Sequence, residues 1–183
     1  PLQPSTIISG PGGSGKPLIG FAVIESWLEA GGSVAFLLTN SDDQFVYETM
    51  DLLYDVDRQT IDEGVVFVDF DPSLAPSMDS LDRGEQITGN LLVPEVWDAA
   101  IEEALSWTSE GGPGTLLFGT ALNLFMFSPT YRESILETFV EAAERTDITS
   151  LFTVSTSAFE DEIAEVEAAA DTVLMTEMAE GTL

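Results

Sequence analysis

Apolar residues in this chain gather into short unbroken runs, and longer segments with a helical stripe lie between them. The runs are Ser5–Ser9, Ser33–Thr39, Val65–Phe70, Thr115–Phe118 and Ile148–Ser155, with a last short one at Thr172–Met175. From Val34 to Leu38 no polar residue intervenes, the pattern of a parallel strand covered on both faces. The helical segments are Leu18–Ala30, Asp43 to about Val56, Val93–Ser109, Pro129 to Arg145 and Glu160–Ala170. Within Val93–Ser109, the residues Val96, Trp97, Ala100, Ile101, Ala104 and Leu105 fall on one stripe, and Pro94 suits a first turn. Leu18–Ala30 is apolar almost all round as far as Ile24, which predicts a helix buried against a sheet. Strand and helix alternate to the end. The pattern therefore predicts an α/β fold, three layers around a mostly parallel central sheet, in a single domain over residues 1–183.

The breaks between elements are as regular as the elements. Gly31 and Gly32 end the first helix, Asn40-Ser41-Asp42 offers a cap to the second, and Ser128 offers one to the helix that begins at Pro129. One break is out of proportion. Asp71 to about Leu92 reads as a loop of about twenty residues with two prolines and two glycines. That length in a compact domain points to a lid, a short helix or disorder.

The first break carries chemistry. Gly10-Pro11-Gly12-Gly13-Ser14-Gly15-Lys16-Pro17 follows a strand and opens a helix, the layout of a phosphate-binding P-loop. In such a loop the backbone N–H groups of Gly10, Gly12, Gly13, Ser14 and Gly15 close around phosphate oxygens, and Lys16 adds a point charge. The pattern G-x-x-x-x-G-K-[ST] is met except at its last position, where Pro17 stands for Ser or Thr. Proline has no hydroxyl for Mg²⁺ and no N–H for phosphate. It also disfavours helical angles at Lys16, the residue before it.

Composition changes the picture twice. The 183 residues hold 33 Asp plus Glu against 5 Lys plus Arg, a formal charge of −28, with 44% hydrophobic residues. These numbers describe a packed globule with an acidic coat, similar to cytoplasmic proteins of extreme halophiles. Such a coat argues against nucleic acid and anionic membrane as partners, and no apolar run in the first helix is long enough to span a bilayer. No secretory leader is legible, so the expected location is cytoplasmic. There is also no cysteine and no histidine, which excludes disulfides, thiolate and imidazole catalysis and Cys/His metal sites. Lys16 is the sole lysine.

Taken in order, the elements resemble the RecA-superfamily ATPase domain of KaiC-like proteins. Ile8 to Lys16 resembles its P-loop, Phe36 to Ser41 its second strand, and Val66 to Asp69 the strand before a variable loop. Leu116-Leu117-Phe118-Gly119-Thr120 resembles its Walker B strand, and Leu151 to Thr156 and Ala169 to Leu174 resemble its last strands. The resemblance implies a nucleotide such as ATP as ligand. It also implies that the metal-holding aspartate falls on Gly119 and the catalytic glutamate pair on Asn40 and Ser41, none of them carboxylates. With Pro17, three groups that hold Mg²⁺ or align water are replaced, so Mg²⁺ is not expected to bind. Asp42, Asp43, Asp69 and Asp71 are the carboxylates in reserve. The resemblance and these replacements together imply a KaiC-like protein without catalysis, with at most weak nucleotide or phosphate binding. Its expected role is regulation, signalling or scaffolding through a protein partner or self-association. The alternatives are an ATP-binding sensor or an ATPase with displaced carboxylates. RecA-like assemblies place a basic residue at the nucleotide from a neighbouring subunit, and the arginines available are Arg58, Arg83, Arg132 and Arg145.

Overall fold

The computed structural model describes residues 4–109 and 111–178. Eight strands form one sheet in the order β4-β5-β3-β2-β6-β7-β1-β8. They are β1 (Ser5–Gly10), β2 (Ser33–Leu38), β3 (Val65–Phe70), β4 (Asp82–Arg83), β5 (Ile87–Gly89), β6 (Thr115–Gly119), β7 (Thr149–Ser155) and β8 (Thr172–Met175). Every pairing is parallel except that of β4 with β5. Helices α1 (Lys16–Glu29), α2 (Asp43–Tyr54) and α3 (Arg58–Gly64) cover one face, and α4 (Pro94–Trp107), α5 (Arg132–Glu144) and α6 (Glu160–Ala169) the other. The expected three-layer α/β arrangement is present, with β1 internal between β7 and β8. Among the described residues no helix is long and apolar enough to cross a membrane.

Alternation along the strands divides the core in two. Ile8, Val34, Phe36, Leu38, Leu116 and Phe118 pack with Phe21 and Ile24 of α1 and Met50 of α2. Ile7, Ala35, Leu37, Leu117 and Phe152 face α4 and α5 instead. On the α1 side the Phe118 ring lies 4.9 Å from that of Phe36, edge-on, and 6.1 Å from that of Phe21. Gly20 of α1 rests on the same ring, since a Cβ there would overlap its carbon atoms. A helix can come this close to a strand only where its facing residue has no side chain.

Four expectations need correction. First, α1 begins at Lys16, not Leu18, so Lys16 is helical although it precedes proline. Only Lys16, Gly20, Phe21 and Ile24 of α1 are buried, while Leu18 and Ile19 are exposed. A helix lying on a sheet buries one face, whatever its outer face contains. Second, the segment after Asp71 is not a structureless loop. It holds a 3₁₀ turn (Met78–Ser80) and the pair β4 and β5, and β5 joins the sheet through β3. Third, the second helix ends at Tyr54 and α3 follows, capped where the Asp57 carboxylate accepts the Thr60 N–H at 2.8 Å. Fourth, α5 starts at Arg132 rather than Pro129, and Leu122–Phe127 forms a 3₁₀ helix before it. The cap expected at Asn40-Ser41-Asp42 is present, since Asp42 accepts the Phe45 N–H at 2.9 Å.

Candidate functional site

The glycine loop leaves β1 at Gly10 and enters α1 at Lys16. Gly13 and Gly15 have φ of +80° and +77°, a region that residues with side chains rarely adopt. At Gly10 space is a further requirement beside its φ of +151°, because a Cβ there would strike Thr176. Lys16 is 6% exposed. Its ammonium donates to the carbonyls of Gly10 (2.9 Å) and Pro11 (2.6 Å) and to the Ser14 hydroxyl (3.2 Å). Those are all the donors an ammonium has. Burial pulls its pKa below the usual lysine value.

Hydroxyl groups of the chain itself close the loop from outside. The Gly12 N–H donates to the Ser157 hydroxyl at 2.9 Å. The Ser14 hydroxyl lies 2.9 Å from the Pro11 carbonyl and 2.7 Å from the Thr176 hydroxyl. Thr176 in turn donates its N–H (2.8 Å) and its hydroxyl (3.0 Å) to the Ser9 carbonyl. Ser157 follows β7 and Thr176 follows β8, so the loop is tied to both neighbouring strands of β1. Sequence reasoning named neither residue. They lie 145 and 162 positions from their loop partners, and only the sheet order brings them there.

Beyond the loop, a cavity of about 670 Å³ opens at the C-terminal ends of β2, β3 and β6. Pro17 and Phe21 of α1 form one wall, Thr39, Asn40, Ser41 and Asp42 a second, and Phe45 of α2 stands at the rim. Asp69 and Phe70 close it from β3, Thr120 and Ala121 from β6. The Thr39 hydroxyl donates to the Thr120 carbonyl at 2.5 Å, which joins the two strand ends. Ala121 takes φ +52°, a strained angle for a residue with a side chain.

Asn40, Ser41 and Pro17 are thus brought together, and Lys16 stays behind them in the loop. Gly119 does not join them. A Cβ at Gly119 would meet Leu122 at 3.1 Å and Leu37 and Phe152 at 3.2 Å, all on the α4 and α5 side of the sheet. Gly119 does not line this cavity, whereas the next residue, Thr120, does. Strand alternation turns Gly119 into the core and leaves Thr120 in the cavity. The strands that lead to Asn40 and end at Gly119, β2 and β6, are neighbours, but β7 separates them from β1, which leads to Lys16.

Of the reserve carboxylates, Asp42 and Asp69 line this cavity. Asp43 lines a second cavity of about 640 Å³ beside Tyr47 and Arg58. Asp71 accepts the N–H and hydroxyl of Ser73 at 2.8 and 2.6 Å, which holds its carboxyl below the usual range. Asp69 is raised above that range, by burial first and then by the charges of Asp71 and Asp43. Among the described residues no cluster of three or more Asp or Glu is placed to hold a metal ion. The arginines are engaged elsewhere. Arg58, Arg83 and Arg145 pair with Asp62, Glu103 and Asp147, and Arg132 donates to the Met126 carbonyl at 2.9 Å.

No family model matches the chain, and no curated protein matches it in sequence. Solved structures of similar fold are found nonetheless. A KaiC-like protein of the hyperthermophilic archaeon Pyrococcus horikoshii is similar with a TM-score of 0.66 at 14% identity, over 100% of this chain and 75% of that one. A second Pyrococcus horikoshii protein is similar with a TM-score of 0.59 at 10% identity, over 96% of this chain and 83% of that one. At such identities the likeness is one of fold. The chain has a three-layer α/β fold like that of the KaiC-like protein.

Proposed function

We propose that this is a KaiC-like P-loop protein that does not hydrolyse nucleotide. It acts by binding, in a regulatory, signalling or scaffold role with a protein partner or a second copy, in a salt-rich cytoplasm. Its P-loop is a degraded Walker A loop that binds nucleotide or phosphate at most weakly. The observation that carries this is the occupation of the loop's own donors. Lys16 makes three bonds within the loop, and Gly12 gives its N–H to Ser157. A phosphate would have to displace these partners, and it would meet Pro17 where a hydroxyl and an N–H are needed. A Mg²⁺-nucleotide does not fit these residues.

The test is equilibrium binding of inorganic phosphate and of ATP, with and without Mg²⁺, in molar KCl. Pro17→Thr restores a hydroxyl and an N–H and is expected to tighten phosphate binding about tenfold, the worth of one charge-assisted hydrogen bond. Ser157→Ala, which releases the Gly12 N–H, is expected to act in the same direction. Adding Thr120→Asp to Pro17→Thr is expected to make binding Mg²⁺-dependent. Gly119→Asp is expected to lower stability instead, because it buries a carboxylate among Leu37, Leu122 and Phe152. A Gly119→Asp variant that folds normally and gains Mg²⁺-dependent binding would contradict this assignment of positions.

A second reading has one observation in its favour. Asp69 shares a cavity with Pro17 and Thr120, so an ATPase with displaced carboxylates would use Asp69. That reading requires turnover by the unmodified protein, lost in Asp69→Asn.

A further inference from the structure

The cavity walled by Pro17 is lined by aromatic rings and carboxylates. Its volume of about 670 Å³ lies within the range of small-molecule sites. Phe21 forms part of its floor and Phe45 its rim, with ring centroids 6.4 Å apart, and Phe70 lies on the β3 side. Two carboxylates, Asp42 and Asp69, line it, and no Lys or Arg does among the described residues. Asp42 is already engaged as the cap of α2. Asp69, half-buried at the end of β3, accepts no hydrogen bond from the described residues.

A half-buried carboxylate with no donor is electrostatically unsatisfied. The faces of aromatic rings attract cations as well. An anion in this cavity meets the opposite field. The chain shows the complementary pairing once already, in its second cavity. There the Arg58 guanidinium lies 4.1 Å over the Tyr47 ring and 3.8 Å from the Asp62 carboxylate.

We propose that the cavity between α1, α2 and the ends of β2, β3 and β6 binds a small organic cation, a protonated amine carried on an aromatic or aliphatic body. The ammonium sits against the Asp69 carboxylate, in the cavity that Asn40 and Thr120 also line. The body fills the space between Phe21, Phe45 and Phe70. This goes beyond the P-loop reading: Pro17 and Thr120 line the cavity, but the donors of the loop, Lys16 and Gly12, lie outside it, and Asp69 takes no part in phosphate binding.

The probe is 2-phenylethylamine, with 2-phenylethanol and 3-phenylpropionate as neutral and anionic analogues of similar shape. Binding is followed by methyl NMR at Thr39 and Thr120, at a KCl concentration that keeps the protein folded. The amine is expected to shift these resonances saturably. The alcohol should bind about tenfold more weakly, and Asp69→Asn should weaken the amine by a similar factor. Phe45→Ala, at a half-exposed rim position, should weaken it without disturbing the core. Glu133→Gln, remote from the cavity, controls for unspecific attraction of a cation to an acidic surface. Equal affinity for the amine and the alcohol would overturn the proposal. So would the absence of a saturable shift, or a loss in Asp69→Asn no greater than that in Glu133→Gln. Failure of this kind leaves the phosphate-binding test of the P-loop unaffected.

Discussion

The thermal midpoint of unfolding is expected to rise on the order of 10 °C or more between low and molar KCl. The chain carries 33 acidic side chains and 5 basic ones. Its ion pairs among the described residues are three, Arg58–Asp62, Arg83–Glu103 and Arg145–Asp147, so nearly all the carboxylates lack a cationic partner. Folding draws these charges together, and at low ionic strength they repel over roughly 30 Å. In molar salt the range falls to about 3 Å and the penalty largely disappears. For a chain of this size each kcal/mol so recovered raises the midpoint by about 2–4 °C. Calorimetric scans across a KCl series measure it. A midpoint that stays level would remove the basis for a halophilic setting.

Phe118→Ala is expected to be the most damaging single truncation near the site. The ring is fully buried, edge-on to Phe36, and in contact with the bare backbone of Gly20. Its removal should cost about 3–5 kcal/mol, a fall in midpoint of about 2–4 °C per kcal/mol. The cavity would open beneath the first turns of α1, the helix that carries Lys16 and Pro17, so the glycine loop would lose its support together with the core. Leu52→Ala, on an outward position that is 81% exposed, should change stability by no more than about 0.5 kcal/mol. Denaturation of both variants in molar KCl gives the comparison. Equal losses would mean that the Phe118 ring does not set the seat of α1.

Much of this architecture is legible in the chain because continuous burial writes itself as continuous hydrophobicity. Val34 to Leu38 is buried throughout and contains no polar residue. The elements that escaped were too short to show a period. β4 has two residues and β5 three, and α3 has seven behind an Asp57–Thr60 cap that is easily taken for a turn. Leu122–Phe127 is apolar enough to read as an extension of β6, but a left-handed residue, Ala121, separates the two.

At the site, the glycine loop and its lysine could be read directly, since their spacing is local. Their surroundings could not. Ser157 and Thr176 reach the loop only because β7 and β8 flank β1. Gly119 and Thr120 differ for another reason. Neighbouring strand positions point to opposite faces, so the residue that the resemblance matched to a metal-holding aspartate lies in the core and the next one lines the cavity.

On this account the loop's phosphate donors are held by the protein itself, and no metal is gripped at Pro17. The measurement that tests it most directly is ATP turnover by the unmodified protein in molar KCl, with and without Mg²⁺, beside Lys16→Ala. The expected result is no turnover above background in either protein, together with calorimetric titrations of ATP that Mg²⁺ does not strengthen. Mg²⁺-dependent hydrolysis by the unmodified protein, abolished by Lys16→Ala, would contradict it.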